Sequence, residues 1–140
     1  MERQIFESKH WKVELSGEQL YLGRSYAICK TKRQSLSELT DEEFFDLHAV
    51  IKKYEKLLKK TFGATLFNWT CLMNHAYREK PHTPQVHFHV RPRYENDVNL
   101  TKLCFKDPNF GDHYHLTETM TNRVSEAVYS KILNTLKANL

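Results

Sequence analysis

Residues 85–93 read Gln-Val-His-Phe-His-Val-Arg-Pro-Arg, a strict alternation of polar and apolar side chains. On a β-strand, alternate residues point to opposite faces. Gln85, His87, His89, Arg91 and Arg93 therefore share one face, and Val86, Phe88 and Val90 the other. A neutral imidazole nitrogen is a competent nucleophile at neutral pH, and guanidinium groups beside it suit an anion. At about 3.3 Å per residue, His87 and His89 stand about 7 Å apart along the strand, close enough to meet one phosphate. If His87 attacks through one ring nitrogen, the other must be tied down by a hydrogen bond, and a backbone carbonyl is the expected acceptor. The plainer alternative is that both are half-exposed strand histidines. For Arg91 and Arg93 the choice lies between a phosphate role and a solvated strand exit, since Pro92 between them is expected to end the ladder.

Met73 to Pro84 has no periodicity and is interrupted by Asn74, His75, Pro81, His82 and Pro84, so it reads as a loop entering the histidine strand. Loops carried by a rigid sheet gather binding groups, which makes Asn74 and His82 candidates. His-x-His on a strand is also chelating geometry, with His75 or His82 as a third ligand. The neighbouring Arg pair repels a cation. The expectation is therefore no metal and no cofactor.

The elements that must position this strand are legible in order. His10 to Leu15 alternates, with Trp11, Val13 and Leu15 inward, and Gln19–Leu22 and Arg24–Lys30 continue a meander on either side of Gly23. Thr40 with Glu43 forms a capping box. It opens a helix whose apolar positions Phe44, Leu47, Val50, Ile51, Tyr54, Leu57, Leu58 and Phe62 fall at three-and-four spacing before Gly63. Its lysine face (Lys52, Lys53, Lys56, Lys59, Lys60) reads as solvated, so nucleic acid is not an expected partner. Ala64–Leu72 is strand-like. Beyond Tyr94 the chain to Leu116 is expected to be irregular, and Thr117–Leu140 to form a closing helix with Met120, Val124, Val128, Ile132 and Leu136 on one stripe.

A chain of 140 residues with 40% apolar content has enough interior for one domain without disulfides or a structural metal. No run of about 18 apolar residues and no leader pattern is present, so the protein is expected to be cytoplasmic and free of the membrane. Cys29, Cys71 and Cys104 form no C-x-x-C pair and read as buried thiols. The formal charge of +4 favours anionic ligands modestly.

Taken together, these residues resemble the histidine-triad (HIT) superfamily of nucleotide hydrolases and transferases, whose signature is three alternating histidines on one strand, commonly followed by Pro-Arg. His87, His89 and Pro92-Arg93 match it, with Gln85 where relatives carry the first histidine. Gly23 before a strand, the helix after Leu39-Thr40, the strand after Gly63 and Asn74 thirteen residues before His87 follow the same order, over roughly residues 10 to 94. The resemblance implies an α+β fold: about five antiparallel strands, one long central helix and a C-terminal helix. It implies one domain over 1–140, with 95–140 as an extension, and a homodimer. It implies chemistry at the α-phosphate of dinucleoside polyphosphates, nucleoside phosphoramidates or related conjugates. By analogy His87 is the nucleophile, His89 bonds the phosphate or leaving oxygen, and Asn74 touches the phosphate. His82 then aids the leaving group, and Ser16, or a neighbouring Glu14 or Glu18, meets the ribose. Trp11 or Ile28 could pack on the base. Gln85 cannot relay a proton. It either replaces an orienting histidine, or the chain is a nucleotide-binding module without turnover.

Overall fold

The computed structural model describes residues 2–114 and 121–140. Trp11, Val13 and Leu15, the inward members of the first predicted strand, are almost completely buried, and the sheet is built around them. Five strands, β1 (Gln4–Glu7), β2 (Trp11–Leu15), β3 (Ser25–Cys29), β4 (Leu66–Thr70) and β5 (His87–Arg93), form an antiparallel sheet in the order β1-β2-β3-β5-β4. The histidine strand β5 is interior: His87 opposes Ile28 and His89 opposes Tyr26 on β3, while Thr70 of β4 opposes His89 from the other side. An interior strand has its backbone fixed on both flanks, so its side-chain directions are firmly set.

Helix α1 (Asp41–Phe62) covers the apolar face. Thr40 caps it, with its hydroxyl accepting from the Glu43 N–H and the Glu43 carboxylate accepting from the Thr40 N–H, and Gly63 closes it at φ 74°. Leu47, Val50, Tyr54, Leu57, Leu58 and Phe62 face the sheet as the spacing predicts. Phe44 does not: it is 46% exposed, and Glu43 takes the inward position instead. The reason is polar. Glu43 accepts from the Cys29 thiol and from Arg33 Nε as well as from the cap. Burial alone would push this carboxyl up, but the Thr40 N–H, the Cys29 thiol and Arg33 outweigh it and hold it at about 2.

Five expectations need correction. Of the three cysteines expected to be buried only Cys29 is; Cys71 is partly buried, and Cys104, on the short strand after Tyr94, is exposed. Gln4–Glu7 adds β1 ahead of the first predicted strand. Gln19–Leu22 is no strand, because the buried Gln19 amide donates to the carbonyls of Ser16 and Arg24 and accepts from Gly23 N, holding a compact turn. The segment after Tyr94 contains a hairpin, β6 (Val98–Leu100) and β7 (Leu103–Phe105), with Thr101 and Lys102 at positive φ. Its turn lacks the Asn-Gly chemistry that announces such a bend. The closing helix α2 (Glu126–Ala138) starts at the Ser125 cap, later than Thr117. Thr117–Met120 lie outside the described residues, and Asn122 instead bonds the Glu18–Gln19 turn through its backbone. Among the described residues, no helix is long and apolar enough to cross a membrane.

Gly23 sits where β3, α1 and β5 meet. Its φ is +88°, a Cβ there would lie 2.5 Å from Leu58 Cδ2, and its carbonyl accepts from the buried Tyr54 hydroxyl. Gly23→Ala is expected to destabilise the fold by about 2–3 kcal/mol in urea unfolding, since it combines an unfavourable φ with overpacking. A loss below about 0.5 kcal/mol would mean that the contact is slack.

Candidate active site

The residue before the histidines organises them. Gln85 Nε2 donates to the carbonyls of Cys29 (2.8 Å) and Thr31 (3.0 Å), and its Oε1 accepts from Arg33 N at 3.2 Å. Val86 adds backbone bonds to Arg33 and Cys29. The amide thus stitches the start of β5 to the segment after β3, and Arg33 carries the tie on to Glu43 at the helix cap. Every polar group of the Gln85 side chain is engaged away from His87.

That fixed backbone presents the Gln85 carbonyl to His87 Nδ1 at 2.8 Å. A carbonyl only accepts, so Nδ1 carries the hydrogen and Nε2 holds the free lone pair. The sequence-based expectation of a carbonyl partner is met. The His87 and His89 rings lean together, with centroids 4.9 Å apart, and Tyr26 packs edge-on to both at 6.2 and 5.4 Å. Both histidines are half-buried. Burial pushes the nearby Cys71 thiol up despite the His87 backbone N–H beside it.

His89 is held neutral. Burial, then the charge of Arg91, brings its pKa down to about 4; the Leu72 carbonyl opposes this, while His87 and Arg24 add to it. Its Nε2 lies 3.3 Å from that carbonyl, a long contact, and its Nδ1 is buried without a partner. The Nε2 proton is thus available to a stronger acceptor.

The arginines differ from the solvated strand exit that sequence allows. β5 runs through Pro92, which pairs with Phe67 on the β4 side, whereas the ladder to β3 stops at Val90. Proline ends only one of the two ladders. Arg93 is 2% exposed and bidentate to Asp107 at 2.7 and 3.1 Å, with further bonds to Asn68 and the carbonyls of Asn109 and Asp112. It is structural. Arg91 is 4% exposed, touches Thr70 Oγ1 at 3.4 Å and lies under the Tyr114 ring, 4.2 Å from its centroid.

Other candidates are less closely placed. Asn74 opens an exposed turn, Asn74–Tyr77, two residues after Leu72. His82 is exposed, pairing with the Glu79 carbonyl at 2.8 Å and the Tyr77 ring at 4.8 Å. Neither makes a hydrogen bond to His87 or His89. Ser16 is buried and its hydroxyl accepts from Glu18 N, so its burial does not support a ribose contact. Glu18 is taken by Arg24, and Glu14 by Lys12. Trp11 is core, its indole donating to the Glu43 carbonyl, whereas Ile28 stands beside His87 on the reactive face. Among the described residues, no group of three or more His, Cys, Asp or Glu is placed to hold a metal. A cavity of about 390 Å³ opens at the far end of β5, walled by Leu66, Asn68, Arg93, Asp112, His113 and Tyr114. Tyr26 and Arg24 were missed, although their alternation with Ile28 on a paired strand puts them on the histidine face.

No protein-family model and no curated protein matches this sequence. Solved structures do. A histidine triad protein from Marinobacter aquaeolei superposes with a TM-score of 0.73 at 17% identity, over 98% of this chain and 87% of that one. This chain has the histidine-triad fold. The NitFhit protein of C. elegans matches with a TM-score of 0.67 at 19% identity, over 99% of this chain but only 27% of that one. A uridylyltransferase matches at 0.64 and 18%, over 98% and 40%. The histidine-triad fold therefore accounts for nearly the whole chain, including α2, while NitFhit and the uridylyltransferase are much longer proteins.

The His89 imidazole is expected to titrate near pH 4 by NMR. Its folded pKa is depressed, so the unfolded state binds the extra proton first. The stabilisation is complete above about pH 6.5 and is lost as pH falls toward 4. His89→Gln should flatten unfolding stability across that window. An unshifted His89 resonance titrating at about 6.5 would contradict the burial.

Proposed function

We propose that this chain is a histidine-triad enzyme that cleaves nucleotides at the α-phosphate through a covalent nucleotidyl-His87 intermediate. The observation that carries the reading is the Gln85 carbonyl on His87 Nδ1, which leaves Nε2 as an oriented lone pair beside a neutral, under-bonded His89. In the first step Nε2 attacks the α-phosphorus. A P–N bond forms, the bond from phosphorus to the leaving group breaks, and its electron pair departs with that group. In the second step water attacks the phosphorus and the P–N bond breaks. Its electron pair returns to Nε2, the water proton passes to solvent, and the nucleoside monophosphate is released. His89 donates Nε2–H to a phosphate oxygen, a stronger acceptor than the Leu72 carbonyl. Asn74, on the turn that follows Leu72, is the further donor for the phosphate, whereas His82, on the same loop, is turned to the Glu79 carbonyl and is given no step. Gln85 positions and transfers no proton, since its side chain is fully engaged. Leaving groups that depart without protonation are therefore favoured. Likeness of fold to a histidine triad protein and to a uridylyltransferase supports the reading.

The test is release of nucleoside monophosphate from a dinucleoside tetraphosphate and from a nucleoside phosphoramidate. The native chain should turn over at least one. His87→Ala should lose about 10³-fold or more, as expected when a covalent nucleophile is removed. Nucleotide binding without product would show a binding module instead, and equal rates for native and His87→Ala proteins would end the proposal.

A further inference from the structure

The polar face of the sheet carries three arginines, of which two are neutralised. Arg24 Nη1 meets Glu18 Oε2 at 3.0 Å, and Arg93 is bidentate to Asp107. Arg91, equally buried, has no carboxylate partner among the described residues. It has one long contact to Thr70 and the face of Tyr114. Arg24 lies close enough that its charge acts on both Arg91 and His89, and its own Nε is buried without a hydrogen bond. A buried cation is costly unless paired, and two neighbouring guanidinium groups repel, so this face holds one positive charge more than the fold neutralises.

The position of that charge matters. His87, His89 and Arg91 are successive outward residues of one strand, spanning about 13 Å at 3.3 Å per residue. Resting on the reading of His87 as nucleophile, we infer that Arg91 is the subsite for the phosphates of the leaving group. The preferred substrates then carry a polyphosphate, rather than an amine or acyl group, beyond the scissile bond. The α-phosphate sits at His87 and His89, and the phosphates after it run along the strand to the guanidinium, which supplies bidentate donors. The Tyr114 ring covers Arg91. It lines the cavity of about 390 Å³ that opens beside Asn68, the cross-strand partner of Arg91, so the ring has space to swing into as the anion arrives. A polyphosphate also leaves without a proton, in keeping with a site whose Gln85 supplies none.

The experiment compares kcat/KM for di(adenosine-5′) tetraphosphate and adenosine 5′-phosphoramidate in native protein, Arg91→Met and Arg91→Lys. The ratio of tetraphosphate to phosphoramidate should fall about 10- to 100-fold in Arg91→Met, the loss of a charge-assisted contact, and less in Arg91→Lys. An unchanged ratio overturns the inference, because a merely structural arginine would depress both substrates alike. Should Arg91→Met fail to fold, the native protein still decides: inorganic tripolyphosphate should compete with the phosphoramidate, and absence of inhibition overturns the inference. Native protein that cleaves only the phosphoramidate refutes the Arg91 subsite alone. Native protein that cleaves neither refutes the reading on which it rests.

Discussion

One hydrogen bond, from His87 Nδ1–H to the carbonyl two residues earlier, sets the chemistry of this protein. It selects the tautomer and turns Nε2 outward. A backbone carbonyl can do this only if the backbone is immobile, and here three side-chain bonds from Gln85 and two ladders from β3 and β4 make it so. The chain Gln85–Arg33–Glu43–Thr40 joins the start of β5 to the N-terminus of the long helix, so the packing of α1 and the aim of His87 form one mechanical unit. An imidazole at position 85 has two ring nitrogens and could not satisfy two carbonyls and an amide together. The amide fits the place it occupies.

Electrostatics divides the sheet. The apolar face packs against α1, while the opposite face holds histidines, arginines and tyrosines at a density that keeps His89 neutral. Burial is the first cause, and the surrounding positive charges are the second. His89, held neutral, can donate from Nε2 beside the His87 ring without adding a charge of its own. The surplus charge at Arg91 belongs to the same arrangement.

Much of this could be read from the chain itself. The alternation of residues 85–93 places both histidines on one face, and the Thr40/Glu43 box and Gly63 bound α1 within a residue. Periodicity could not tell which inward helix position would be polar, because Glu43 is buried by partners distant in sequence, Cys29 and Arg33. Nor could it foresee the fate of the arginines. Their neighbours come from residues 107–114, a stretch without repeat pattern, whose Asp107 and Tyr114 cover the strand's far end. Tertiary contact of this kind leaves no local trace. The Thr101-Lys102 turn was silent for another reason: two non-glycine residues at positive φ are not a sequence signal.

Covalent nucleotidylation of His87 Nε2 is the step on which the proposed chemistry turns. Intact-mass spectrometry after rapid quenching at neutral pH with an activated nucleotide tests it directly, with peptide mapping of any adduct. The account predicts a single nucleotidyl increment on His87 that decays as monophosphate appears. Monophosphate accumulating with no increment, or an increment mapped to another residue, would contradict it.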